Sequence, residues 1–327
     1  MSTAATQQQL ATGTHLGAPT GIYDYSDNAY LKSDITKWPS CLDPSTASTA
    51  DMSAGRVINL ETTAVTSVPS LSTSVPTPIT PLTDISQGST NMCSAFAFAQ
   101  AYTIKYAIDK KTIPPQLSPN YAYYFQRIEE CTTTGVCPCL TCPISKCASQ
   151  CDPPCVDCGS YLLSALSIFT VGVCASASWP LTQSINDTPS DAARAAASHR
   201  ISTAICIPVD SAFPSSVIAY LQQLSPVIVF LNISKQSMAW MQGLVNATLS
   251  SSNPNLTDVA VQFPFKSTDA ITAGHVVVIV GYDPTANVFI VRNSFGFQWG
   301  AQGRFTIRYS DMIGQFIQQA TAITVIN

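Results

Sequence analysis

The sequence predicts an α+β fold of two lobes, a helical lobe packed on an antiparallel β-sheet or barrel lobe. Three observations carry this. Helical patterns come first, from Cys93 to Leu224, and strand patterns come second, after Pro226. The chain also has 327 residues, 46% of them hydrophobic, enough for a sizeable core.

The elements follow in order. Cys93–Asp109 (CSAFAFAQAYTIKYAID) is apolar on nearly every face and lacks Gly and Pro, which predicts a buried helix with Asn91 or Thr90 as its N-cap. Leu117–Glu129 opens on Ser118 before Pro119, an N-cap followed by proline at the first helical position, and predicts a second helix. Tyr161–Phe169 returns to helical spacing, Val217–Leu224 predicts a short helix, and the Ala-rich run before His199 predicts another that ends near that histidine. Strands are predicted at Val227–Leu231, Gly274–Tyr282, Val288–Arg292, Gly303–Tyr309 and Ala320–Ile326, separated by Asp283-Pro284 and by turns at Gly296 and Gly300.

Residues 1–79 have another texture. Asp43–Thr83 holds 16 Ser or Thr and several Pro, a composition that fits an extended leader or an arm docked on the globular body. Tyr23, Tyr25, Tyr30, Trp38 and Cys41 are the candidate docking groups. The domain proper is placed at residues 80–327, with a Cys-rich insert at 131–158.

Charge is unusually low: 15 Lys and Arg, 19 Asp and Glu, and a net charge of −4. Polarity comes instead from 72 Ser and Thr. So few cations leave no electrostatic footprint for nucleic acid, and no apolar run reaches the roughly 18 residues of a membrane helix. A near-neutral surface resists association poorly, which suggests docking to a larger protein assembly. Met1–Gly17 has no signal-peptide pattern, while the cysteine density fits an oxidising compartment or a virus particle, so the compartment stays open.

Three histidines occur, at 15, 199 and 275. His275 opens the strand GHVVVIVGY, and Cys93 opens an apolar helix whose free N–H groups favour a thiolate. Gln87, six residues before Cys93, can bring its amide beside the sulfur, so that Gln87 and the Cys93 N–H form an oxyanion hole. Asn293 ends a strand eighteen residues after His275, across a hairpin, and can return beside the imidazole to fix its tautomer.

These stretches resemble the papain-like cysteine peptidases. Ser86–Phe96 is similar to the family's nucleophile segment, His275–Tyr282 to its histidine segment, and Arg292–Phe305 to its asparagine segment, with the order Gln, Cys, His, Asn kept. LSPNYAYYFQRIEE and Gly159–Leu181 look like the branch found in bacteria, archaea and large DNA viruses. The resemblance spans about Thr80–Tyr309 and implies a thiol endopeptidase acting on protein or peptide substrates without a cofactor. Cys93 would attack as a thiolate paired with imidazolium, His275 would shuttle the proton, Asn293 would orient His275, and Gln87 would stabilise the oxyanion. Phe295 would replace the Trp that covers the His–Asn bond, and Trp299 matches the second aromatic of that turn. Met92 and Ser94, beside the sulfur, are placed at the substrate cleft.

The departures are specific. Ser94 stands where the family has Trp, and Asn91-Met92 replaces Gly-Ser. Thr90 stands where the family has a Cys, so the disulfide that anchors the nucleophile loop cannot form. Cys93 and His275 lie 182 residues apart, against roughly 130–150 in the papain pattern, which implies insertions. One is the insert with Cys131, Cys137, Cys139, Cys142, Cys147, Cys151, Cys155 and Cys158. These eight thiols could form four disulfides or hold two zinc ions; family members place disulfides in this neighbourhood. A papain-fold structural or assembly protein, such as a virus-particle component with little activity, is the alternative function.

Overall fold

The computed structural model describes residues 57–61, 63, 86–112, 114–134, 157, 159–244, 262–265, 269–297, 299–312 and 316–327. The expectations for residues 1–56, for the insert cysteines from Cys137 to Cys158, and for the side chain of Cys131 lie outside them.

The helical part comes first, as the patterns predict. Helix α1 spans Cys93–Lys110, α2 Pro119–Thr134, α3 Leu162–Val171 and α4 Asp191–Ala195. Because α1 is apolar all round, it sits in the centre, with α2 and α3 on one side and the sheet on the other. Ser118 caps α2 as expected, its Oγ accepting the Tyr121 N–H at 3.0 Å. The start of α1 differs from expectation. Its N-cap is Met92, not Asn91 or Thr90, and no side chain caps it. The Ala-rich helix is also shorter than predicted: α4 stops at Ala195, and His199 pairs instead with Val173 in an isolated bridge.

The strands are β1 (Ile58–Asn59), β2 (Ile201–Cys206), β3 (Val227–Ser234), β4 (Ile271–Asp283), β5 (Val288–Arg292), β6 (Arg304–Arg308) and β7 (Ile317–Ile326); helices α5 (Phe213–Gln222) and α6 (Lys235–Gly243) flank β3 in sequence. All pair antiparallel, in the order β2-β7-β3-β4-β5-β6, with β1 added on β4. Strand β3 is buried along its whole length, which explains its unbroken apolar run.

Part of the Ser/Thr-rich stretch is built into this sheet. Ile58 and Asn59 pair with Tyr282 and Gly281, and Leu60 and Glu61 are fully buried. Gly281 permits it: a Cβ there would lie 2.1 Å from the Ile58 carbonyl oxygen. Glu61 then reaches Arg292 Nε at 2.8 Å and Arg304 Nη1 at 3.8 Å, in a buried charge cluster beside the end of β5. Cys206, at the end of β2, is disulfide-bonded.

Candidate active site

The site is assembled where the start of α1 meets β4 and the end of β5. Strand pairing places His275 and Asn293. Val278 faces Arg292 and Ile279 faces Val291, so the same register puts Asn293 opposite Val277, one side-chain step along the same face from His275. The side chains meet there: His275 Nε2 and Asn293 Oδ1 are 2.8 Å apart. Asn293 Oδ1 also accepts the Ser294 N–H at 2.8 Å, which fixes this atom as the oxygen. Nε2 of His275 therefore carries the proton, and Nδ1 is left as the basic nitrogen.

Cys93 arrives from the other side. The backbone N–H groups of Val276, the residue after His275, and of Ser94 lie near enough to its sulfur to favour the thiolate electrostatically. An uncapped helix start suits this, because the first N–H groups stay free for an anion or a reacting oxygen. A second link runs along α1. Two turns after Cys93, Gln100 Nε2 donates to the carbonyl oxygen of Asn293 at 3.2 Å, tying α1 to the end of β5.

Gln87 is bound to the same strand end. Its backbone N–H donates to Ser294 O at 2.9 Å, and its Oε1 accepts from Ser294 Oγ at 2.5 Å. Nε2 donates one hydrogen to Thr90 O at 2.5 Å, so the amide is held beside the loop that precedes Cys93. The neighbouring bridge between Ser86 and Phe295 closes this edge. Phe295 stacks on the His275 ring with centroids 5.2 Å apart and planes 24° apart. Trp299 meets Phe295 edge-on and donates from Nε1 to Met241 O at 2.8 Å, forming a second aromatic layer.

Two residues placed at the cleft from sequence sit elsewhere. Met92 is buried in the hydrophobic core, because an apolar thioether under the first turn of α1 gains more from packing than from lining a groove. Ser94 is fully buried and donates to Gln126 Oε1 of α2 at 3.0 Å, so it knits the helical lobe together. A contact without a sequence signal is Asp157. Its carboxylate oxygens each lie 3.0 Å from the Asn91 nitrogen, two residues before Cys93.

Burial pushes the Cys93 thiol up to about 11, against the lowering by the Val276 and Ser94 N–H groups; the Asp157 carboxylate adds to the rise. Burial pushes His275 down to about 4, with the Asn293 hydrogen bond opposing. Burial therefore disfavours each charge taken alone and works against the resting thiolate–imidazolium pair expected from sequence. A proton passing from sulfur to imidazole creates both charges together, and their mutual attraction offsets the burial cost.

The His275 shift has a consequence for stability. A cation disfavoured by folding makes the unfolded chain bind the extra proton first. Stability then falls as pH drops from about 6.5, and this contribution levels off below about 4, where folded His275 also protonates. The Tm of a His275→Gln variant, measured from pH 7 to 4, is expected to fall less steeply than that of the wild type.

Among the described residues no group of three or more metal-ligating side chains occurs, and no helix is long and apolar enough to cross a membrane. The zinc alternative concerns insert cysteines outside those residues.

Comparison with known proteins places this geometry. Residues 144–323, just over half of the chain, match the family described as papain family cysteine protease; the match contains His275 and Asn293 and begins after Cys93. No curated protein sequence matches the chain. Among solved structures, xylellain, a cysteine protease from Xylella fastidiosa, is 19% identical with a TM-score of 0.57, over 85% of this chain and 90% of that one. Digestive procathepsin L 3 of Tenebrio molitor larval midgut is 16% identical with a TM-score of 0.53, over 87% of this chain and 74% of that one. A Carica candamarcensis cysteine protease is 14% identical with a TM-score of 0.50, over 82% of this chain and 97% of that one. At these identities the likeness is one of fold.

Proposed function

Because the chain belongs to the papain family of cysteine proteases, we propose that it is a thiol endopeptidase with Cys93 as nucleophile, His275 as general base and acid, Asn293 as the orienting group and Gln87 as an oxyanion donor. The observation that carries this reading is the 2.8 Å contact of His275 Nε2 with Asn293 Oδ1, next to a Val276 N–H whose field reaches the Cys93 sulfur. Three segments far apart in sequence meet there. Proteins or peptides are the substrates, and the chemistry needs no cofactor.

In the proposed reaction the Cys93 proton moves to His275 Nδ1 as the sulfur attacks the scissile carbonyl carbon. The carbonyl oxygen becomes an oxyanion. It is received by the Cys93 N–H and by the Gln87 Nε2 hydrogen not donated to Thr90. Collapse breaks the C–N bond, and the leaving amine takes the proton from His275. Water then gives a proton to His275, attacks the thioester carbon and releases the acid, after which Cys93 recovers its proton. Phe295 and Trp299 keep water from the His275–Asn293 bond, which holds Nδ1 toward the sulfur throughout.

The test is hydrolysis of peptides blocked at both ends, combined with labelling by an epoxide or vinyl-sulfone reagent. Internal cleavage is expected, and one label on Cys93 that abolishes it. Cleavage that continues with Cys93 fully labelled would refute the reading. Gln87→Ala is expected to lower kcat roughly 10²- to 10³-fold, the usual effect of losing one oxyanion donor, with little change in KM. Steady-state kinetics on the same peptides checks this.

A further inference from the structure

Cys93 opens a helix that no side chain caps, and the position of the family's loop-anchoring cysteine is Thr90. Something else must hold the loop. Asn91 is gripped twice by one residue: its backbone N–H points between the two Asp157 carboxylate oxygens, 3.0 Å from each, and its Nδ2 donates to Asp157 O at 2.7 Å. Asp157 is itself held by α2, where the Tyr123 hydroxyl donates to Oδ1 at 2.7 Å. That hydroxyl accepts the Gly159 N–H at 2.9 Å, so Tyr123 fixes the backbone on the far side of Asp157 as well. Tyr123 is fully buried, and the Arg127 guanidinium lies over its ring, 4.5 Å from the centroid.

We propose that Asp157 is a positioning residue for the nucleophile: it clamps Asn91 to α2 and so sets where the Cys93 sulfur stands relative to His275. This rests on the reading of Cys93 as the nucleophile. Asp157 does by three charge-assisted or backbone hydrogen bonds what a covalent tether does elsewhere. The contacts bridge 66 residues and meet Asn91 from both of its polar groups, so they restrain its rotation as well as its place. The carboxylate has an electrostatic side effect, since its charge opposes thiolate formation at Cys93. The groups that meet the pair are the Tyr123 hydroxyl from α2 on Asp157 and the Val276 N–H from β4 near the sulfur, with Arg127 over the Tyr123 ring.

Two substitutions separate clamp from charge. Asp157→Asn removes the charge and keeps an oxygen for Asn91 and Tyr123; Asp157→Ala removes both. Asp157→Ala is expected to lower kcat/KM about 100-fold, mostly in kcat, the scale of an ångström of misplacement. Asp157→Asn is expected to lower it about fivefold, the scale of one weakened hydrogen bond. Iodoacetamide labelling of Cys93 is expected to move to lower pH in both. Amide exchange over residues 90–94 is expected to quicken in Asp157→Ala alone. Equal kcat/KM in the two variants, an unmoved labelling profile, or unchanged exchange would overturn the proposal. If Asp157→Ala does not fold, Asn91→Ala, which removes the Nδ2 bond, takes its place in the exchange measurement. Labelling and exchange need no turnover, so a wild-type chain that cleaves nothing would defeat the proposed function while these two readouts still decide the clamp.

Discussion

Replacing Cys93 with alanine is expected to lower kcat/KM by roughly 10⁵- to 10⁶-fold, the scale seen when a covalent nucleophile is removed from a hydrolase. The residual rate would come from the oxyanion donors and from binding alone. Tm should change little, because Cys93 is a small, partly exposed residue at the start of α1 and its thiol adds modest apolar burial. Losing His275 should cost nearly as much, and the double variant no more than either alone, because the two act as one unit. Steady-state kinetics with the two single variants and the double variant checks this. A Cys93→Ala enzyme within tenfold of wild type would place the nucleophile elsewhere.

The second large effect is on stability. Glu61→Ala is expected to destabilise the protein by about 3–5 kcal/mol, because it removes the carboxylate of a buried charge cluster and leaves its two guanidinium groups in place. Glu61 is fully buried, with Arg292 and Arg304 both nearly so. Burial already pushes the Arg304 pKa down, with Glu61 opposing that fall and Arg292 adding to it. Without Glu61 the two guanidinium groups face each other, with Arg292 donating to Gln302 O and Arg304 to Ala301 O and Gln302 Oε1. Because Arg292 directly precedes Asn293, the same substitution should also lower kcat. Urea unfolding gives the stability change. A loss below about 1 kcal/mol, the range of an exposed pair, would show that β1 is dispensable.

How far the sequence reached depends on the kind of signal each feature leaves. Strand β5 is predicted with its observed ends, since an apolar run bounded by turn residues marks both. Helix α1 is equally legible, because an apolar run too long for a strand and free of breakers has few other homes. His275 and Asn293 were visible as a motif on a hairpin, and strand pairing explains the spacing. Strand β1 left no such trace: two residues in a Ser/Thr-rich stretch carry no period, and their place depends on Gly281 far away in sequence. Asp157 was hidden for a related reason. A single carboxylate among cysteines looks like a loop residue until its partner 66 positions away is known. The cap of α1 was misassigned because Asn91, a good capping residue by type, spends its side chain on Asp157. Helix α6 was missed although Ser234 caps it, because its short length and mixed composition give a weak period.

In the proposed reaction acyl groups pass through the Cys93 sulfur. Acid quenching during turnover of an activated ester substrate, followed by peptide mapping, tests it directly. One acyl group per chain is expected, held as a thioester on the peptide that contains Cys93 and absent from a Cys93→Ala chain. Product formation with no acyl adduct on that peptide, or with the adduct on another residue, would contradict it.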